Sequence, residues 1–82
     1  MYKLRIKTKN VEKVIENPVE PRIINTACFS NLEVKNDNGN WIPIVRYLNL
    51  SYLEEEKDTE EIVLKEIKYA IKNHKNYVFV DV

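Results

Sequence analysis

The chain predicts an α+β fold of two layers, with one long C-terminal helix packed on a mostly antiparallel sheet of about four or five strands. Three observations carry that reading. Tyr2, Leu4 and Ile6 alternate with Lys3, Arg5 and Lys7; an Asn38-Gly39 step separates two β-rich runs; and Val63, Ile67, Ala70 and Ile71 keep the spacing of one helical face. Eighty-two residues leave room for a single domain, 1–82. At that size folding buries roughly 60–65% of the extended-chain surface, so stability is expected to be modest or helped by a partner.

The N-terminal alternation reads as a strand with one buried and one cationic face. Residues Asn10 to Asn17 fit two structures. Val11, Val14 and Ile15 have helical spacing behind an Asn10 cap, with Pro18 as the stop, or the same residues return as a hairpin turning at Lys9-Asn10. A helix there gives the βαββαβ order of ferredoxin-like folds. Pro18 and Pro21 are expected to bracket an extended connector, because neither continues a helix or a central ladder.

Arg22 to Phe29 reads as a strand, with a bulge or turn at Ser30-Asn31 and renewed alternation through Leu32 to Lys35. Asp37-Asn38-Gly39-Asn40 suits a type I′ hairpin turn, and Trp41 to Leu50 is the return strand. Pro43 lacks a ladder donor, so that strand lies at an edge or carries a bulge. By parity Trp41, Pro43, Val45 and Tyr47 share one face, opposite Ile42, Ile44, Leu48 and Leu50. Asp58 with Glu61 resembles a capping box at the start of the long helix, and Asn73-His74 ends it. Tyr77-Val78-Phe79-Val80 is apolar on both sides, the pattern of a central strand reached by a right-handed parallel crossover.

Composition excludes several classes of function. Thirteen cations balance thirteen acids, so the net charge is zero, which argues against a general nucleic-acid coat or a polybasic membrane binder. The single glycine removes phosphate-cradling loops and dinucleotide fingerprints. One Cys and one His make neither a closed zinc site nor an internal disulfide. No apolar run reaches bilayer length and no secretory signal opens the chain, so a cytoplasmic location with no membrane partner is expected.

Enzymatic parts are scarce. Cys28 with His74 is a minimal nucleophile pair, but Cys28 is expected to be a small buried hydrophobe and His74 a favourable cation or cap at the helix end. The acidic run Glu54, Glu55, Glu56, Asp58, Glu60 and Glu61 does not have the spacing of a calcium loop. The reading is therefore a non-enzyme without metal or cofactor.

Two charged segments remain for binding. Tyr47, Tyr52, Glu54, Glu55, Glu56 and Asp58 combine aromatics with acids, the ingredients of an interface anchor and its rim. Lys3, Arg5, Lys7 and Lys9 form the opposite, basic surface if the alternation extends to Lys9. Phosphate binding there would need exposed aromatics on the same sheet for stacking. The acidic segment is the expected partner-binding surface, and the basic strand the alternative.

Opposed patches on a neutral chain favour one macromolecular protein partner, by surface complementarity, over bulk polyanion binding. The overall type resembles the small single-domain proteins of phages and mobile elements, including anti-CRISPR and other counter-defence proteins. That resemblance rests on size, an AT-rich codon composition dominated by Lys, Asn and Ile, and segregated charge. It implies an inhibitor of a host defence protein. The other readings are a nucleic-acid-binding protein using the basic strand, and a homodimer or higher oligomer that binds a small molecule between chains.

Overall fold

In the computed structural model, which describes residues 1–48 and 54–82 apart from the side chains of 54–58, the N-terminal alternation forms strand β1 (Lys3–Lys7). Leu4 and Ile6 are buried and Lys3, Arg5 and Lys7 are exposed, as the period of two requires. Residues 10–17 are not helical. The buried Thr8 closes a tight turn: its hydroxyl accepts the Val11 N–H at 3.1 Å and the Asn10 N–H at 3.3 Å, while its own N–H donates to the Val11 carbonyl at 2.8 Å. Asn10 is thereby held in the turn, and β2 (Glu12–Glu16) returns antiparallel to β1 with Leu4 opposite Ile15. This hairpin removes the first helix of a ferredoxin-like order.

One residue separates β2 from β3 (Pro18–Asn25). Asn17 has φ of 49°, and it exchanges bonds with Tyr2: the Asn17 N–H donates to the Tyr2 carbonyl at 2.7 Å, and the Tyr2 N–H donates to Asn17 Oδ1 at 3.2 Å. Asn tolerates the left-handed region better than other side chains, so the chain can swing there from one sheet to the next. Asn17→Val should cost about 1–2 kcal/mol from this strain, read as a lowered urea midpoint, whereas Asn17→Gly should cost less than half as much.

The expected connector is instead strand. β3 pairs with β4 (Phe29–Asn36), which pairs with β5 (Trp41–Leu48), in the order β3-β4-β5. Pro18 and Pro21 are accommodated because β3 lies at the edge and its register slips between Pro18 and Glu20. The break between β3 and β4 falls at residues 26–28, not at Ser30-Asn31. Thr26 bridges it, its hydroxyl donating to the Phe29 carbonyl at 2.9 Å and accepting the Phe29 N–H at 3.0 Å. Cys28 sits in that turn and is exposed, contrary to its expected burial.

The Asp37–Asn40 hairpin is also not of type I′. Only Gly39 has positive φ, 84°, and its N–H donates to the Asn36 carbonyl at 3.1 Å while Asn36 N–H donates to Asn40 O at 3.0 Å. This is a three-residue loop with a left-handed Gly at its end. The Asn36 side chain selects it by accepting the N–H groups of Asn38 and Asn40, both at 3.0 Å. On β5 the expected edge position and bulge both occur at Pro43. The bulge makes Ile44 an extra residue and reverses parity across it. Ile42, Val45 and Tyr47 therefore lie opposite the buried Val34, Leu32 and Ser30, and Trp41 falls on the other face from Tyr47.

Helix α1 runs Glu54–Lys72, so it begins upstream of Asp58, which lies within the helix rather than capping it. The acids of its first turns suit a helix N-terminus. Val63, Ile67 and Ala70 are buried as their spacing predicts. The last strand, β6 (Tyr77–Phe79), runs parallel to β1, but it lies at the edge of a sheet ordered β2-β1-β6 rather than inside one. The described architecture is thus six strands in two three-stranded sheets with one helix. β1 is the central strand of its sheet, so its cations do not guard an edge. Leu4, Ile6 and Ile15 of one sheet, Leu32, Val34 and Ile44 of the other, and Val63 and Ile67 of the helix share one core. Among the described residues, no helix is long and apolar enough to cross a membrane.

Candidate protein-binding face

The outer face of the β2-β1-β6 sheet follows from register. β1 and β6 pair in parallel with Arg5 beside Tyr77, Ile6 beside Val78 and Lys7 beside Phe79. The Arg5 N–H donates to the Asn76 carbonyl and the Val80 N–H to the Lys7 carbonyl, each at 2.9 Å. Val80 is buried and Val78 half-buried toward the helix, which turns Tyr77 and Phe79 outward, 48% and 46% exposed. On the other flank β2 sets Val14 beside Arg5 and Glu12 beside Lys7. The face therefore carries an aromatic column, a cationic column and a mixed column of acids and Val14.

The charges largely answer one another. Arg5 Nε lies 3.6 Å from Glu12 Oε1, and Lys3 Nζ 3.9 Å from Glu16 Oε1. Both pairs are exposed and each contributes only about 0–1 kcal/mol, yet they place a carboxylate where a phosphate would have to bind. Lys7 has no ion pair among the described residues. Lys9 has left the strand, and its Nζ lies 3.2 Å from Asp81.

Beside β6 and α1 lies a groove of about 430 Å³, lined by Lys65, Tyr69, Lys75, Tyr77 and Phe79 among others. Tyr69 is 59% exposed, with Lys75 Nζ 5.3 Å from its ring centroid, a cation–π contact. How the helix ends determines where β6 begins. The His74 N–H donates to the Ile71 carbonyl at 3.2 Å, the Lys75 N–H to the Ala70 carbonyl at 2.9 Å, and His74 has φ of 50°. This is a Schellman ending with His in the position that Gly usually takes.

Tyr2 supports that ending. Its ring stacks on His74 at 4.6 Å between centroids and 11° between planes, and its hydroxyl proton is shared between the carbonyls of Lys75 (2.7 Å) and Ala70 (3.1 Å). Burial pushes the phenol above its ordinary value of 10.0. The neutral phenol is thus the form the fold favours. Its contribution is complete below the unfolded value and is lost as pH rises from there through the higher folded value. Tyr2→Phe should lower stability below pH 9 by about 1 kcal/mol, the net worth of such a bond, and flatten this alkaline loss in urea melts from pH 8 to 12.

The residues expected to bind a partner are differently placed. Tyr47 is half-buried on the inner face of its sheet, its hydroxyl 3.5 Å from Glu60 Oε1, which Ser30 also approaches at 3.4 Å. Tyr52 and the side chains of Glu54, Glu55, Glu56 and Asp58 lie outside the described residues. Lys3, Arg5 and Lys7 do share one exposed face, and Lys9 does not. Trp41 is covered by cations, with the Arg22 guanidinium 3.9 Å from its centroid and held by Glu33 at 2.8 Å.

Sequence reasoning missed Tyr69, Tyr77 and Phe79. The signal in the sequence was Tyr69, an aromatic off the core face of the helix; the apolar run Tyr77 to Val80 fits a central strand and an edge strand alike. Cys28, in the β3–β4 turn, and His74, against Tyr2, lie on separate elements. Among the described residues no group of three or more His, Cys, Asp or Glu is placed to hold a metal ion. Comparison of the chain with protein-family models, curated proteins and solved structures finds no match.

Proposed function

We propose that the chain is a non-enzymatic protein-binding module that docks one macromolecular protein partner on the outer face of the β2-β1-β6 sheet. The observation that carries the reading is the exposure of Tyr77 and Phe79 in register with Arg5 and Lys7. Tyr and Arg are the residue types that most often dominate binding energy at protein interfaces, and an open sheet face holds them rigidly at little entropic cost. The acids on β2 make this face nearly neutral, which supports a protein partner over a phosphate backbone. The role proposed for this face is that of an inhibitor of a host protein, carried by a phage or mobile element and acting in the cytoplasm.

The exposed aromatics also meet a requirement of the nucleic-acid reading, so the test must separate the two. Purified protein is titrated with single-stranded DNA and RNA at several salt concentrations, and used in parallel as bait in host lysate. A stoichiometric protein retained by the natural chain and lost from the Tyr77→Ala/Phe79→Ala bait supports the proposal. Submicromolar nucleic-acid binding that falls steeply with salt contradicts it, because that slope is the signature of phosphate contacts.

A further inference from the structure

We infer that the free edge of β6 pairs antiparallel with β6 of a second copy of this chain, about a two-fold axis through Val78. The inference rests on the backbone edge and needs no other partner. The Asn76 carbonyl and the Val80 N–H point to β1. Because backbone groups alternate along a strand, the N–H and C=O of Tyr77 and Phe79 point away from β1 to the open side. Among the described residues, no strand pairs with that side.

The other sheet edges carry devices that prevent strand addition. β3 has Pro18, Pro21 and a register slip; β5 has Pro43 and a bulge. β2 presents Glu12, Lys13 and Glu16, and it packs against β4 and β5. β6 has no proline, no bulge and no charge within it. The groove lies along this edge, walled on the other side by Lys65 and Tyr69 of α1.

Self-complementarity identifies the occupant. With the axis at Val78, Tyr77 faces Phe79 of the second copy, and both are residues whose backbone groups point outward. They can therefore exchange both N–H···O bonds of an antiparallel pair. Continued two residues beyond the strand, the same register sets Lys75 toward Asp81 of the second copy, whose carboxylate also lies 3.2 Å from Lys9 Nζ of its own chain, so opposite charges approach at each end of the paired segment. The side chains of Tyr77 and Phe79 stand perpendicular to the sheet, so pairing leaves them on the outer face. It joins two three-stranded sheets into one continuous face with both aromatic columns at its centre.

Sedimentation velocity on the purified full chain, from about 1 µM to 1 mM, tests the inference. The natural chain should shift from monomer to dimer within that range. Phe79→Pro removes an N–H that the fold itself does not use, and should weaken dimerisation by about thirtyfold or more with an unchanged circular dichroism spectrum. If that variant fails to fold, charge exchange decides. Lys75→Glu or Asp81→Lys alone should weaken the dimer by about threefold to tenfold, and the double variant should restore it. A natural chain that stays monomeric at 1 mM overturns the inference. So does a dimer that both single charge reversals leave unchanged. Slow exchange of the Tyr77 and Phe79 amides that appears only in the presence of another protein would assign the edge to that protein instead.

Discussion

Changing Tyr77 and Phe79 together to Ala should weaken partner binding by about 30-fold to 1,000-fold while the fold survives. Each is a rigid aromatic on an exposed sheet face, and truncation of such an anchor costs about 1–2 kcal/mol where it is central to an interface. Every 1.4 kcal/mol is a factor of ten in affinity. The cost to folding is small by comparison, because both side chains are about half exposed and neither belongs to the shared core. Lost cross-strand contact with Arg5 and Lys7 should account for about 0.5–1 kcal/mol in total. Glu61→Gln, at an exposed helix position, is the matched control and should bind as the natural chain does. Binding is read by calorimetry with the captured partner, and folding by urea melts of the same samples.

The largest effect on stability should come from Ile67→Ala. Ile67 is fully inaccessible and sits in the middle of the core-facing stripe of α1, between Val63 and Ala70. Its truncation removes apolar contacts and leaves a cavity that a core shared by two sheets and a helix cannot easily collapse. The expected loss is about 2–5 kcal/mol. A chain of this length has a total stability of only about 4–12 kcal/mol, so the variant stands close to unfolding at 37 °C. Its Tm should fall by about 8–40 °C, at roughly 4–8 °C for each kcal/mol in a domain of this size. Ile62→Ala is the internal comparison: five residues away on the same helix, 55% exposed, it should change stability by less than about 0.5 kcal/mol.

The parts of the fold that were legible in the sequence are those where one local rule decides the outcome. The alternation from Lys3 to Lys7 has a single physical solution, and so has the Val63–Ile67–Ala70 stripe. Proline at position 43 implied an edge position or a bulge, and β5 has both. Where two rules compete, the reading stayed open between two structures or chose the wrong one. Val11, Val14 and Ile15 fit a helical spacing or the return strand of a hairpin, and what decides is Thr8, whose hydroxyl ties down the turn before it. The hairpin at Gly39 followed side-chain bonding by Asn36 rather than the Asn-Gly preference for type I′. The bulge beside Pro43 was foreseen, but its consequence for parity was not, and Trp41 and Tyr47 were therefore placed on one face.

The candidate site was legible in half. The cations of β1 were recognised as one face, because their side-chain period is local. Their aromatic neighbours were not, because the register of β6 against β1 joins residues more than seventy positions apart. Tyr77-Val78-Phe79 reads as apolar on both sides, and that pattern fits a buried central strand as well as an edge strand with exposed aromatics. Only strand order distinguishes the two. The acidic segment at Tyr52 to Asp58 was legible as charge, and charge alone does not say which surface a partner covers.

Site-specific photocrosslinking tests the central claim most directly. A benzophenone side chain is placed at Tyr77, at Tyr47 or at Trp41 of the full chain, and each form is irradiated in host lysate. The account predicts one discrete adduct with a host protein from position 77, distinct in mass from the self-adduct of the dimer, none from 41 or 47, and a host adduct that nuclease leaves intact. Adducts from position 47 with none from position 77, or a nuclease-sensitive adduct at 77, would contradict it.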